Sequence, residues 1–145
     1  MPVFFSRQCE YALRAVLYLA AKPGGGPVPI REIANELAIS GQFLAKIFQD
    51  LSRKKLLSSR KGPKGGFRLR RSSARITLYD VVEAIDGVQL MEECVMGFPR
   101  CSKKNPCLLH RRWAGIRSEL TEALAGKNIG DLATAVRTNP GAYRR

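Results

Sequence analysis

Apolar residues recur at helical intervals from near the start of the chain. Between Ser6 and Ala21, Cys9, Leu13, Val16, Leu17 and Ala20 share a face and Ser6 is placed to cap, which predicts a first helix. Pro23-Gly24-Gly25-Gly26-Pro27 ends it. A short second helix is predicted from Pro29, with Ile30, Ile33, Ala34 and Leu37 on one side. After Ala38-Ile39, Ser40 can cap a third helix running to about Arg53 and packed through Phe43, Leu44, Ile47, Phe48 and Leu51. Two short helices with a tight join are the outline of a helix-turn-helix. Ser40 would then open its second helix, with Gln42, Ala45, Lys46 and Gln49 facing outward.

The period then changes. Leu56-Leu57-Ser58-Ser59-Arg60 and Gly66-Phe67-Arg68-Leu69-Arg70 are strand-like halves around Lys61-Gly62-Pro63-Lys64-Gly65, a hairpin or wing. Thr77 opens another helix, with Leu78, Val81, Val82 and Ile85 as its stripe, Asp80 at the third position and Gly87 as its stop. An irregular cysteine-bearing loop follows. A long helix is expected from Pro106, where Leu109, Trp113, Ile116, Leu120 and Ala123 alternate steps of four and three, as for a helix laid against a partner helix. Ile129 to Val136 suits a last short helix. The organisation expected is a DNA-binding region over 1–88, a cofactor loop over 89–110, a dimerisation helix and short terminal helix over 106–136, and a flexible basic tail over 137–145. The fold class is mainly α, a winged helix-turn-helix with a small β hairpin.

Charge adds a partner. Of 145 residues, 25 are Lys or Arg and 12 Asp or Glu, a net charge of +13 that favours a polyanion, with nucleic acid ahead of an anionic membrane surface. Ten of the basic residues lie between Leu51 and Tyr79, a stretch without a single acid. The cations therefore concentrate on the elements that would meet a duplex. No run of about 18 apolar residues occurs and Met1–Ser6 lacks the features of a secretory signal, so a cytoplasmic protein with no membrane partner is expected.

In a reducing compartment, four cysteines are poorly explained by disulfides. Cys94, Cys101, Cys107 and His110 span 17 residues, with a spacing wider than that of a zinc knuckle. Soft thiolates select zinc or iron-sulfur, and an open loop can wrap a larger core. Iron-sulfur or zinc ligation leads here, ahead of redox-active thiols and incidental cysteines. Cys9 sits on the first helix's stripe and reads as a buried small residue, while Glu10 beside it is either a surface partner of Arg14 or a carboxylate ligand. Trp113 fits its stripe as a core or dimer contact. Gly62-x-x-Gly65-Gly66 lacks the Gly-Lys-Ser/Thr ending of a phosphate loop and bends a hairpin instead, leaving Arg60, Lys61, Lys64 and Arg68 to touch DNA phosphates or enter a minor groove. One histidine and scattered carboxylates form no triad or two-carboxylate site, so an enzyme is the weakest class.

Glu10-Tyr11-Ala12-Leu13-Arg14, the Ile33-Ala34 helix, Ile39-Ser40 with Phe43-Leu44, Gly62-Pro63-Lys64-Gly65-Gly66-Phe67 and the three downstream cysteines together resemble the Rrf2 family of bacterial winged helix-turn-helix regulators. The likeness runs through Ala133. It implies a homodimer whose long helix crosses its partner, a near-palindromic double-stranded DNA operator, and a repressor sensing redox, iron-sulfur status or nitric oxide. It also implies a two-iron or four-iron cluster on Cys94, Cys101 and Cys107. The fourth ligand would be His110, as in the iron-sulfur-assembly type, or Glu10 of the other subunit, as in nitric-oxide sensors. Six residues separate Cys94 from Cys101 where the family more often has five, and Ala45 stands where the iron-sulfur-assembly regulator carries an acid. A cluster-free thiol switch and a zinc-stabilised DNA-binding module are the alternatives.

Overall fold

The computed structural model of the chain describes residues 5–22 and 24–143. Helix α1 (Arg7–Ala21) begins where the Ser6 hydroxyl accepts the Cys9 N–H at 3.1 Å. Its buried face is Cys9, Ala12, Ala15, Val16 and Leu19, whereas Leu13, Leu17 and Ala20 of the expected stripe are only half-buried. Alanines at 12 and 15 let α1 lie close against its neighbours, so burial follows close approach rather than side-chain size. Pro29 lies just outside α2 (Ile30–Leu37), and Ala38, with φ of 54°, makes the tight join. Helix α3 (Gly41–Arg53) starts at Ser40, whose hydroxyl accepts the Phe43 N–H, and buries Leu44, Ile47, Phe48 and Leu51.

Strands β1 (Leu57–Arg60) and β2 (Gly66–Leu69) pair antiparallel, Leu57 opposite Leu69 and Arg60 opposite Gly66. Val28 extends this ribbon by exchanging both backbone hydrogen bonds with Phe67 at 2.8 Å. The bridge ties the segment before α2 to the wing. Gly66 has φ of +151° at this crossing, and a Cβ there would lie 2.2 Å from the Val28 carbonyl oxygen, so only glycine fits.

Helix α4 (Leu78–Asp86) carries the capping box of Thr77 and Asp80 and stops at Gly87. A short helix, α5 (Gln89–Glu92), then precedes the cysteine loop, a turn that periodicity did not indicate. The long helix α6 (His110–Ala125) begins four residues later than Pro106 suggested, because Cys107 is still turned into the loop, its N–H on the Cys101 sulfur and its carbonyl on the His110 N–H. Helix α7 (Ile129–Thr138) has a capping box of Asn128 and Asp131, and Pro140–Tyr143 forms a 3-10 turn. The basic tail is thus more regular than its composition suggested; Arg144 and Arg145 lie outside the described residues.

One core joins α1 to α4, the hairpin and α7 around Phe48, Ile33, Leu44, Leu56, Ile76 and Ile129. No residue of α6 belongs to it, and none is buried. Full burial of each large side chain in the core is worth about 1.5–3 kcal/mol, and α6 has almost none of that support within one chain.

Candidate functional site

Three sulfurs meet at the tip of α6. Cys94, Cys101 and Cys107 place their Sγ atoms within 4.8 Å of one another, with Cys94 and Cys107 at 3.7 Å. His110 opens α6 with Nδ1 3.3 Å from the Cys101 sulfur. The loop is folded by short local bonds: Gly97, with φ of +74°, turns its N–H back to the Cys94 carbonyl, and Ser102 and Asn105 exchange backbone bonds. The three cysteines that the spacing singled out come together, and His110 approaches Cys101 without joining the group of three sulfurs. Glu10 does not belong to the thiol group of its own chain.

The thiols differ electrostatically. The Phe98 backbone N–H on Cys94, helped by that of Met96, holds its pKa below the ordinary thiol value despite some burial. For Cys101 the Cys107 N–H is the largest influence and lowers the pKa, but desolvation and the neighbouring Cys107 and Cys94 outweigh it, so the net direction is up. Cys9 stands apart, fully buried, its thiol pushed up to about 12 by burial and then by the negative charges of Asp86 and Glu10. The bland reading of Cys9 holds.

The loop is clamped to two helices. The Trp113 indole N–H donates to the Glu93 carbonyl at 2.9 Å, and the Arg117 guanidinium donates to the carbonyls of Glu92 and Glu93. A cation on the last carbonyls of α5 suits the helix dipole. Trp113 therefore holds the approach to Cys94, a role its apolar stripe did not reveal. At the other end, the Ser6 N–H donates to Asp86 at 2.8 Å and the Ser6 hydroxyl donates to the same carboxylate, joining the start of α1 to the end of α4. Tyr11 of α1 meets Phe43 of α3 edge to face at 5.7 Å. Side-chain contacts thus join the loop to α6 and the end of α4 through α1 to the second helix of the helix-turn-helix, with α6 packed against α4 between them.

The basic surface is separate. Ser40, Gln42, Lys46 and Gln49 are exposed at the start and along the outer face of α3, with Arg60, Lys61, Lys64 and Arg68 exposed on the hairpin. A groove of about 690 Å3 between them is lined by Phe48, Gln49, Ser52, Arg53, Ser59 and Phe67. Ser52 and Arg53 are additions that helical periodicity could have supplied, since they continue the Gln49 side of α3.

A helix-turn-helix with a cationic wing, carrying three clustered thiols on a separate loop, defines a winged-helix regulator with a thiol-bearing arm. Residues 5–135 match the Rrf2 family, described as an iron-dependent transcriptional regulator, and the chain belongs to that family. It is 35% identical over 132 residues to a protein of Aquifex aeolicus described as an HTH-type transcriptional regulator, covering 90% of this chain and 91% of that one. It is 32% identical to the HTH-type transcriptional regulator IscR of Escherichia coli, covering 85% and 75% of the two chains. Among solved structures, CymR, the global cysteine regulator of B. subtilis, superposes with a TM-score of 0.78 at 25% identity, covering 92% of this chain and 98% of that one. T. potens IscR shares the fold with a TM-score of 0.71 at 23% identity, covering 94% and 88%. The protein is a transcription regulator of this type, and its relatives are regulators rather than enzymes. No helix among the described residues is long and apolar enough to cross a membrane.

Proposed function

We propose that the protein is a homodimeric repressor whose operator affinity depends on the state of an iron-sulfur centre held by Cys94, Cys101 and Cys107, with His110 as the fourth ligand. The convergence of three thiols within 4.8 Å carries this reading, and the 3.3 Å approach of His110 to Cys101 favours it over the partner's Glu10 as the fourth donor. The donor set fits: soft thiolates with one imidazole suit iron-sulfur or zinc. When bound, the cluster would supply a redox-active and nitrosylation-sensitive group. The protein's own residues do the rest. Trp113 and Arg117 fix the loop's entry to α6, Asp86 fixes α1 to α4, and Tyr11 reaches Phe43, so a change in the loop's packing biases α3 through contiguous contacts.

The dimer rests on α6, where Ile116, and Leu109 just before the helix, stay 48% and 40% exposed in one chain. Two such helices crossing would present α3 and the wing of each subunit to successive half-sites of a near-palindromic operator. Gln42 and Gln49 can read adenine edges, while Ser40, Lys46, Arg60, Lys61 and Lys64 serve phosphates or the minor groove; Arg68 lines a different face of the hairpin.

A second reading fits the same thiols. Two thiolates on one tetrahedral zinc or iron ion sit about 3.8 Å apart, given metal–sulfur bonds of about 2.3 Å, and the Cys94–Cys107 separation of 3.7 Å suits either. Anaerobic purification with iron, sulfide and zinc counting decides between them. Iron and sulfide in equal amounts, with visible absorption lost in Cys101→Ala and His110→Ala, support the proposal; stoichiometric zinc without sulfide replaces it with a structural zinc module, and no metal at all leaves a thiol switch.

A further inference from the structure

On the other side of the hairpin from the recognition groove lies a second concavity, of about 440 Å3, between the end of α1, the glycine turn and the end of β2. It shares no lining residue with the groove beside α3. Lys22, Arg68, Arg70 and Arg71 all line it, together with Gly25, Gly26 and Ser72. Carboxylates answer only part of that charge. Lys22 pairs with Glu32, and Arg71 lies 4.0 Å from Asp80, but neither Arg68 nor Arg70 is within 4.0 Å of any carboxylate among the described residues. Four cations around one hollow focus a positive potential into it, and folding brings them together against mutual repulsion.

Part of the lining is the glycine turn. Gly24 and Gly25 have φ of +84° and +61°, and neither the Gly25 nor the Gly26 N–H reaches an acceptor among the described residues. Consecutive free N–H groups in a left-handed turn form the kind of concavity that receives oxyanions. The Ser72 hydroxyl accepts the Ala74 N–H and so keeps its own hydrogen to donate. The volume falls within the range of about 300–1,000 Å3 typical of small-ligand sites.

We propose that this hollow binds a phosphate group, held by Arg68, Arg70 and Arg71 and by the Gly25–Gly26 backbone. Arg68, whose Nε donates to the Ser58 hydroxyl, and Arg70 have no carboxylate partner among the described residues and match a doubly charged phosphate, as found on a phosphate monoester or a pyrophosphate. A DNA backbone phosphate outside the segment read by α3 and the wing tip offers the same oxygens with less charge. Either source would bridge α1 to the base of the wing. The inference does not depend on the thiol centre and stands or falls without it.

The test is calorimetric titration of the full-length protein with inorganic pyrophosphate at low ionic strength, alongside amide chemical shifts of Gly25 and Gly26. Arg70→Gln with Arg71→Gln is compared with Lys103→Gln with Lys104→Gln, which removes the same charge from the cysteine loop. The proposal expects the first pair to weaken pyrophosphate about tenfold or more and the control pair by less than about twofold, with the two glycine amides shifting in the unsubstituted protein. Should pyrophosphate not bind while the first pair alone lowers the salt slope of operator binding by about two, the phosphate comes from DNA. Equal losses in the two pairs, or still glycine amides together with an unchanged salt slope, would overturn the proposal.

Discussion

Cys9 and Cys94 show how far the surroundings of one residue decide its chemistry. Cys9 is sealed in the core with its pKa near 12, so at neutral pH almost none of it is thiolate, whereas the loop cysteines are partly exposed. Iodoacetamide on native, metal-free protein should therefore alkylate Cys94, Cys101 and Cys107 and spare Cys9, as read by peptide mass spectrometry; Cys9 labelled at the rate of the others contradicts the packing of α1. The sign of its linkage follows. The fold prefers the neutral thiol, so that contribution is intact below the ordinary thiol value of 9.0 and is lost as pH rises towards about 12. Cys9→Ala should flatten the alkaline loss of stability over that interval. Gly66 makes the matching case for backbone. Gly66→Ala pushes a Cβ into the Val28 carbonyl at a φ of +151°, and should cost about 1–3 kcal/mol in chemical denaturation. An unchanged midpoint would mean that the Val28–Phe67 bridge does not constrain the wing.

At the scale of elements, legibility followed the strength of local signals. Ser40, Thr77 and the glycine-rich turn announced α3, α4 and the hairpin because caps and turns are short-range chemistry. The buried face of α1 was misread because Ala12 and Ala15 carry little hydrophobic signal, yet they set how closely neighbouring helices approach. The start of α6 was misplaced for a related reason. Pro106 suits a first helical turn, but the bond from the Cys107 N–H to the Cys101 sulfur belongs to the loop's tertiary structure, which no local pattern encodes. The thiol site itself was legible from residue type and spacing, whereas its clamps, Trp113 and Arg117, were not, since their partners are backbone carbonyls. Of the α6 stripe, Trp113 and Leu120 are half-buried in one chain, while Ile116 stays exposed. Placing a charge there should therefore separate subunits. Ile116→Glu should sediment as a monomer with an unchanged far-ultraviolet spectrum and bind operator DNA at least about tenfold more weakly, because two half-sites are no longer held together. A stable dimer in that variant would move the interface elsewhere.

Over the whole molecule, charge and geometry have separate tasks. The excess of 13 positive charges, concentrated from Leu51 to Tyr79, supplies affinity for any duplex, and in the proposed dimer the spacing of α3 and wing would supply selection among duplexes. Arg60→Ala or Lys64→Ala should weaken several DNA sequences alike and lower the salt slope by about one per lost phosphate contact; a slope that does not move removes the wing tip from the interface. In the proposed reading, control would enter through the loop, which touches α6 by Trp113 and Arg117, and would reach α3 by way of Asp86, Ser6, Tyr11 and Phe43. Each link is modest, but about 1.4 kcal/mol of preference for one arrangement is already a tenfold change in occupancy. Operator affinity, measured anaerobically by fluorescence anisotropy on cluster-bearing and metal-free dimers of the same preparation, tests this coupling most directly. The account predicts dissociation constants that differ by about tenfold or more, with the difference abolished in Cys101→Ala; equal affinities in both states would contradict it.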